Sequence, residues 1–194
     1  MKHLIIYTHP NPESFNHAIK ETLVRVLKEK GHEVRVRDLY AIGFDPVLKS
    51  MDFQALAGGK VLADVAAEQE HVRWADQITF IYPLWWDRMP ALAEGYVDRV
   101  LSKGFAYDST PTGPVGLLLG KKAVLFTTCG APLAVVESSG VRNMGQLLDR
   151  DTLGFCGMEV MSHRYFGSVP TVSREERQKM LEEVALLAAS WPTL

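Results

Sequence analysis

The order in which buried-strand segments and helical segments follow one another constrains this chain most. His3–Thr8, Gln77–Tyr82 and Lys122–Thr128 are short and mostly apolar rather than alternating, as strands covered on both faces are. Glu33–Asp38 alternates and reads as a further strand, and Met158–His163 reads as a fifth. Between them lie stretches of helical period. Phe15, Ala18, Ile19, Leu23, Val26 and Leu27 recur along one helix face up to Lys30, where Gly31 supplies the stop. Val65–Trp74 is a second helix. Pro90 opens a third that runs to about Leu101, its missing N–H harmless in a first turn. Ser173 with Glu176 three residues on is a capping box, and it starts a last helix that ends near Ser190. Strand and helix alternate through five strands. That order predicts an α/β fold, a three-layer sandwich in which a five-stranded parallel sheet carries helices on both faces.

Three stretches carry no clear period and are expected to be irregular. They are Tyr40 to about Leu62, the long loop Gly104–Gly120, and Cys129–Val141, which precedes a short helix near Asn143–Leu148. Structureless loops of that length are usually functional. With 194 residues, 47% of them apolar, the chain is long enough for one core, and residues 1–194 are expected to form a single domain. A formal net charge of -2 leaves no basic footprint for a nucleic acid. The two cysteines, Cys129 and Cys156, match neither a metal spacing nor a disulfide framework, and read as reduced, buried thiols. Leu4–Tyr7 is too short for a secretory leader, and no apolar run is long enough to cross a bilayer. A cytoplasmic location is expected.

In a doubly wound sheet, ligands bind outside the carboxyl ends of the strands. Three loops leave such ends and carry unusual residues. Thr8–Asn16 joins the first strand to a helix N-terminus, where backbone N–H groups and the helix dipole favour a phosphate. Ser14, Asn16 and His9 add side-chain hydrogen bonds there, although Ser14 equally suits a simple helix cap. The segment is neither the GxGxxG fingerprint nor the P-loop, which argues against a dinucleotide-binding Rossmann site and an NTPase. Pro83–Pro90 holds Trp85 and Trp86 side by side. Such rings wall a flat aromatic ligand, or else serve the core and a dimer contact. Thr127–Pro132 offers two threonines and Gly130, where backbone can approach a ligand closely. No histidine base is placed beside Cys129, so that thiol reads as inert.

These residues resemble the flavodoxin-like NAD(P)H:quinone oxidoreductase family, which includes mammalian quinone reductases, bacterial modulators of drug activity and the ancillary flavoproteins of potassium efflux systems. The resemblance runs from about His3 to Leu187. It is carried by His9-Pro10, Ser14-Phe15-Asn16, Asp38-Leu39-Tyr40, Phe44-Asp45-Pro46, Ala67-Glu68-Gln69, Pro83-Leu84-Trp85-Trp86, Gly104-Phe105-Ala106-Tyr107, Thr127-Thr128 and Phe155-Cys156-Gly157 in that order. It implies a non-covalent flavin and a homodimer with sites at the subunit interface. His9, Ser14, Phe15 and Asn16 would hold the flavin phosphate region, with Gln69 supporting the same end. Pro83, Leu84, Trp85 and Trp86 would run along the isoalloxazine ring. Thr127, Thr128 and Gly130 would meet its pyrimidine edge, and Trp86 and Tyr107 would line the acceptor pocket.

The implied activity is hydride transfer from NAD(P)H through the flavin to a quinone-like acceptor. The alternative is a flavin-binding regulatory subunit of a membrane transporter. A one-electron carrier fits less well, given the aromatic-rich loop and the small net charge. FMN is expected over FAD, because no adenine pocket is legible. One departure stands out. Mammalian members carry a tyrosine and a histidine after the paired threonines, thought to relay charge, whereas Cys129–Glu137 contains neither residue type. His163, at the end of the fifth predicted strand, has no motif that would place it near the flavin, so the proton relay is left unassigned.

Overall fold

The computed structural model describes residues 1–192, apart from the side chains of Arg142 and Met144, so the last two residues of the expected 1–194 span lie outside the described residues. Five strands, β1 (Lys2–Tyr7), β2 (Glu33–Asp38), β3 (Gln77–Pro83), β6 (Lys122–Thr128) and β7 (Glu159–Phe166), form one parallel sheet in the order β2-β1-β3-β6-β7. All seven residues of β3 are buried, which is why its sequence shows no alternation. β2 at one edge alternates exposed and half-buried residues, as its sequence does.

Helices cover both faces. α1 (Phe15–Glu29) and α7 (Arg174–Ser190) pack on one, where Ile5, Tyr7, Ile19, Leu23, Leu27, Val124, Phe126 and Val184 make a closed core. α3 (Ala63–Trp74) and α4 (Ala91–Val100) lie on the other, over Leu4, Ile6, Ile78, Phe80, Tyr82, Ala123 and Leu125. The helix boundaries follow local chemistry. Ser14 caps α1 by accepting from the His17 N–H, and Gly31 ends it at φ 78°, the left-handed region that glycine enters freely. Ser173 and Glu176 make the reciprocal capping box of α7. Pro90 stands one position outside α4, as its N-cap.

The three irregular stretches hold more structure than their sequences suggest. The first contains a helix, α2 (Ser50–Ala57). The long loop Gly104–Gly120 contains an antiparallel hairpin, β4 (Tyr107–Thr110) with β5 (Gly113–Gly116). The third contains α5 (Leu133–Ser138), and the short helix beyond it, α6 (Val141–Gln146), runs on as a π-helical segment over Leu147–Gly154. The fifth strand of the sheet extends to Phe166 rather than ending at His163. Both cysteines are buried free thiols, and burial pushes the Cys156 thiol up to about 11. No described helix is long and apolar enough to cross a membrane.

Candidate functional site

The strand order reverses direction between β1 and β3, which is where a doubly wound sheet opens a crevice at its carboxyl edge. The loops after β1, β3 and β6 meet there. The Thr8 N–H donates to the Ile81 carbonyl (3.0 Å) and the Leu84 N–H to the Thr128 carbonyl (2.7 Å), so the parallel ladder continues past the strand ends. His9 and Trp85 bring their rings to 6.0 Å. Asn16 Nδ2 donates to Thr128 Oγ1 at 2.7 Å, tying the first turn of α1 to the end of β6.

In the first loop, Ser14 caps α1 and its hydroxyl lies 3.4 Å from that of Tyr7. The first N–H groups of a helix lack intrahelical partners and point outward, where a phosphate would be held. The Phe15 ring turns inward against Phe166, so this residue offers the site its backbone. His9 Nδ1 accepts from the Asn11 N–H, and burial lowers the imidazole below its ordinary range. Asn16 is 3% exposed, and its Oδ1 has no hydrogen-bond partner. A buried amide oxygen without a donor costs about 1–3 kcal/mol, and a hydroxyl chain such as the ribityl of a flavin would satisfy it.

The second loop is a tight two-residue turn. Trp85 and Arg88 exchange both backbone hydrogen bonds (3.0 and 3.1 Å), and between them Trp86 and Asp87 stand at φ 51° and 61°. A turn with two left-handed central residues normally takes Asn-Gly or Asp-Gly, and a bulky tryptophan there is strained. Trp86 is 98% exposed and Trp85 42%, so the strain holds two large rings out of the core. Pro83 is buried and Leu84 half-buried beneath them.

The third loop begins from two threonines that face opposite ways. Thr128, 4% exposed, takes the Asn16 amide. Thr127 is fully buried, and its hydroxyl is turned from the loop to His163 Nε2 at 2.9 Å. Gly130 is exposed, and a Cβ there would meet nothing nearer than Pro170 Cγ at 4.0 Å, which leaves room for close approach of a ligand. The Cys129 thiol donates to the Ala131 carbonyl (3.3 Å), and burial raises it, as an unreactive thiol requires.

Two expected residues lie apart from this cluster. Gln69 is 2% exposed, and its amide is spent on the Val100 carbonyl (3.0 Å) and Ser102 Oγ (3.1 Å), at the far end of α4. Tyr107 lies on β4 and packs its ring at 5.1 Å from Phe155, which is 40% exposed.

The sequence also hid a polar cluster beneath the loops. His163 and Tyr165 project from β7 with stacked rings 4.2 Å apart, beside Asp149 of the π-helical segment and Tyr82 of β3. A cleft of about 380 Å³ lies next to it, walled by Leu84, Met89, Val141 and Leu148, with Tyr82 and Tyr165 among its polar lining. Its tight fit depends on Gly145, since a Cβ there would fall 1.8 Å from the Tyr165 hydroxyl.

Comparison with known proteins accords with this geometry. The model of a family described by its flavodoxin-like fold matches residues 1–187. An NAD(P)H oxidoreductase of Haemophilus influenzae is 36% identical over 187 residues, spanning 95% of this chain and 93% of that one. The human ribosyldihydronicotinamide dehydrogenase [quinone] is 33% identical over 93% of this chain and 87% of its own. Among solved structures, an NAD(P)H:quinone oxidoreductase from Methanothermobacter marburgensis superposes with a TM-score of 0.89 at 28% identity, covering 98% of both chains. The general stress protein 14 of Treponema denticola, solved with FMN, is 26% identical, with a TM-score of 0.66 over 98% of this chain and 97% of its own.

Proposed function

This chain belongs to the flavodoxin-like-fold family of NAD(P)H oxidoreductases, and we propose that it passes reducing equivalents from NAD(P)H through a bound flavin to a quinone-like acceptor, the chain acting as one flavin-binding domain. The observation that carries the reading is the set of loops at the β1/β3 reversal, with the unpartnered Asn16 Oδ1, the open Gly130 and the exposed Trp85 and Trp86 together. The orphaned amide oxygen and the exposed rings are costly for a chain that binds nothing there, and each of the features matches one part of a flavin.

The flavin, when bound, supplies the two-electron chemistry, and the protein binds, orients and tunes it. Ser14 and the first turn of α1 hold the phosphate end, with His9 beside them. Asn16 Oδ1 accepts from the sugar-alcohol chain. The strained turn presents Trp85 and Trp86 along the ring and shapes a slot for a flat partner. The end of β6 meets the pyrimidine edge at Gly130, since the Cys129 N–H already donates to the Phe166 carbonyl (2.9 Å), and the Gly130 N–H there favours a gain of negative charge in the manner of an oxyanion hole.

FAD is favoured over FMN. A groove of about 520 Å³ leads on from Ser14 and Phe15, lined by Glu13 and by Arg174, Arg177, Gln178 and Leu181 of α7, and its two arginines against one carboxylate leave a net positive wall for a second phosphate beside an adenine. No sequence pattern marks this groove, because α7 lies far along the chain from Ser14.

A second copy of the chain completes the site. Val47, which lines one hollow with Trp86, and Met51 and Phe53 on the helix that follows are each more than half exposed, an apolar surface that a lone domain rarely leaves bare. In such a homodimer, Tyr107 and Phe155 of one protomer face the slot of the other.

Anaerobic titration tests the activity. The purified protein should be yellow, bleach on addition of NADH or NADPH, and regain its colour with menadione. Protein that neither FAD nor FMN can colour would overturn the reading. Mass spectrometry of the released flavin decides between the two, and light scattering reports the dimer.

A further inference from the structure

The proposed flavin site rests on the end of β6, and that end is held from beneath by a chain of three side chains. Asp149 presents both carboxylate oxygens to His163 Nδ1, at 3.0 and 3.1 Å. His163 Nε2 lies 2.9 Å from Thr127 Oγ1. The His163 side chain is 6% exposed and that of Asp149 24%, so the pair is shielded except at its outer carboxylate edge. A carboxylate only accepts, so the Nδ1 proton belongs between His163 and Asp149, and in the neutral imidazole Nε2 is left as an acceptor. Thr127 then donates its hydroxyl proton to Nε2, which fixes the threonine rotamer at the residue where β6 leaves the sheet. Tyr82, 3.5 Å from Nε2, and Tyr165, 3.3 Å from Nδ1, complete the surroundings of the ring.

Resting on the flavin reading above, we propose that His163, oriented by Asp149, is a positioning residue that acts through Thr127 to set the shape of the β6 end on which the flavin's pyrimidine edge would lie. The roles follow from the geometry. Asp149 selects the imidazole tautomer, the imidazole selects the Thr127 rotamer, and the Thr127 rotamer holds the backbone from which Thr128, Cys129 and Gly130 continue. Register agrees, since Thr127 pairs with Tyr165 across the β6–β7 ladder and Thr128 with Phe166, so the last rungs of both strands are tied by this chain and by the Asn16–Thr128 bond on the opposite face.

The experiment combines histidine NMR with a double-mutant cycle. Long-range proton–nitrogen spectra of the flavin-free protein should show the His163 proton on Nδ1 in the wild type, and a changed tautomer balance in Asp149→Asn. Flavin dissociation constants, read by fluorescence quenching, should rise about tenfold in Thr127→Val and in His163→Phe. They should rise no further in the double variant, because both remove the same link. Thr127→Ser keeps the hydroxyl and should bind flavin as the wild type does. Circular dichroism and flavin-free melting curves confirm that each variant compared is folded. Additive losses in the cycle, or a wild-type proton on Nε2, would overturn the proposal while leaving the flavin reading intact. A wild-type protein that binds no flavin would overturn both.

Discussion

Two polar regions of this protein are built on opposite terms. Under α2, α3 and α4, buried charges answer one another. Arg99, 4% exposed, donates to Asp52 at 2.9 and 3.0 Å, to Asp64 at 2.6 Å and to the Asp45 carbonyl at 2.8 Å. Nearby, Glu68 takes a forked contact from Arg37 and a long hydrogen bond from the Tyr96 hydroxyl at 3.4 Å. At the carboxyl edge of the sheet the terms are reversed, with a buried amide oxygen unpartnered, two residues held at positive φ and an indole almost wholly exposed. The first region stabilises the fold, and the second spends stability to hold groups where a ligand can meet them. Substitutions should therefore separate the two, with folding lost in one region and binding lost in the other.

The largest effect is expected at Arg99. Arg99→Ala leaves Asp52 buried without its cation, and breaking a buried pair from one side typically costs about 3–5 kcal/mol. Urea unfolding should show that loss, while the fraction that remains folded binds flavin with unchanged affinity. A variant that kept its stability and lost flavin would reverse the assignment of the two regions.

The amino edge of the sheet provides the next test, because it too has unpartnered polar atoms but no ligand to explain them. His3 is fully buried, its Nε2 lies 3.1 Å from His32 Nδ1, and its ring stacks on Trp191. Burial, then the neighbouring His32, lowers the His3 imidazole from 6.5 to about 4. The folded value is depressed, so this stability is fully present above pH 6.5 and is lost as pH falls from there towards 4, because the unfolded chain takes up the proton first. The loss amounts to about 3 kcal/mol across that window, at about 1.36 kcal/mol per pH unit. Unfolding free energies measured at pH 7.5 and 4.5 should differ by about that much more in the wild type than in His3→Phe. Equal differences in the two proteins would mean that the buried ring does not control acid stability.

The same contrast explains how far the sequence reaches. The parallel sheet and its crevice are legible in unbroken apolar strands, and the three loops stand out because Pro, Trp and Gly fall where strands end. Helix α2 is not legible, because Met51 and Phe53 face outward and leave no apolar stripe. The β4–β5 hairpin is masked by Pro111, Gly113, Pro114 and Gly116, which read as loop although the last three belong to β5. Gln69 stands in a motif, but the partners of its amide nitrogen, the Val100 carbonyl and Ser102 Oγ, lie 31 and 33 residues on and no local pattern announces them. The link from Asp149 through His163 to Thr127 joins three elements at separations of 14 and 36 residues, and no local pattern encodes such a link.

The smallest expected effect is the one most able to separate strain from packing. At φ 51°, Trp86 pays the left-handed penalty of about 1–2 kcal/mol that glycine avoids, and its exposed ring gives back little through burial in a single chain. Part of the relief in Trp86→Gly is offset by the freer unfolded chain, so unfolding stability should hold steady or rise by about 1 kcal/mol at most. Flavin affinity should fall about five- to tenfold as one aromatic wall is lost. Opposite signs for folding and binding are the mark of a residue strained for its ligand. If stability falls instead, and falls more at high protein concentration, Trp86 is packed against a second copy of the chain, and the strain serves the dimer as well as the slot.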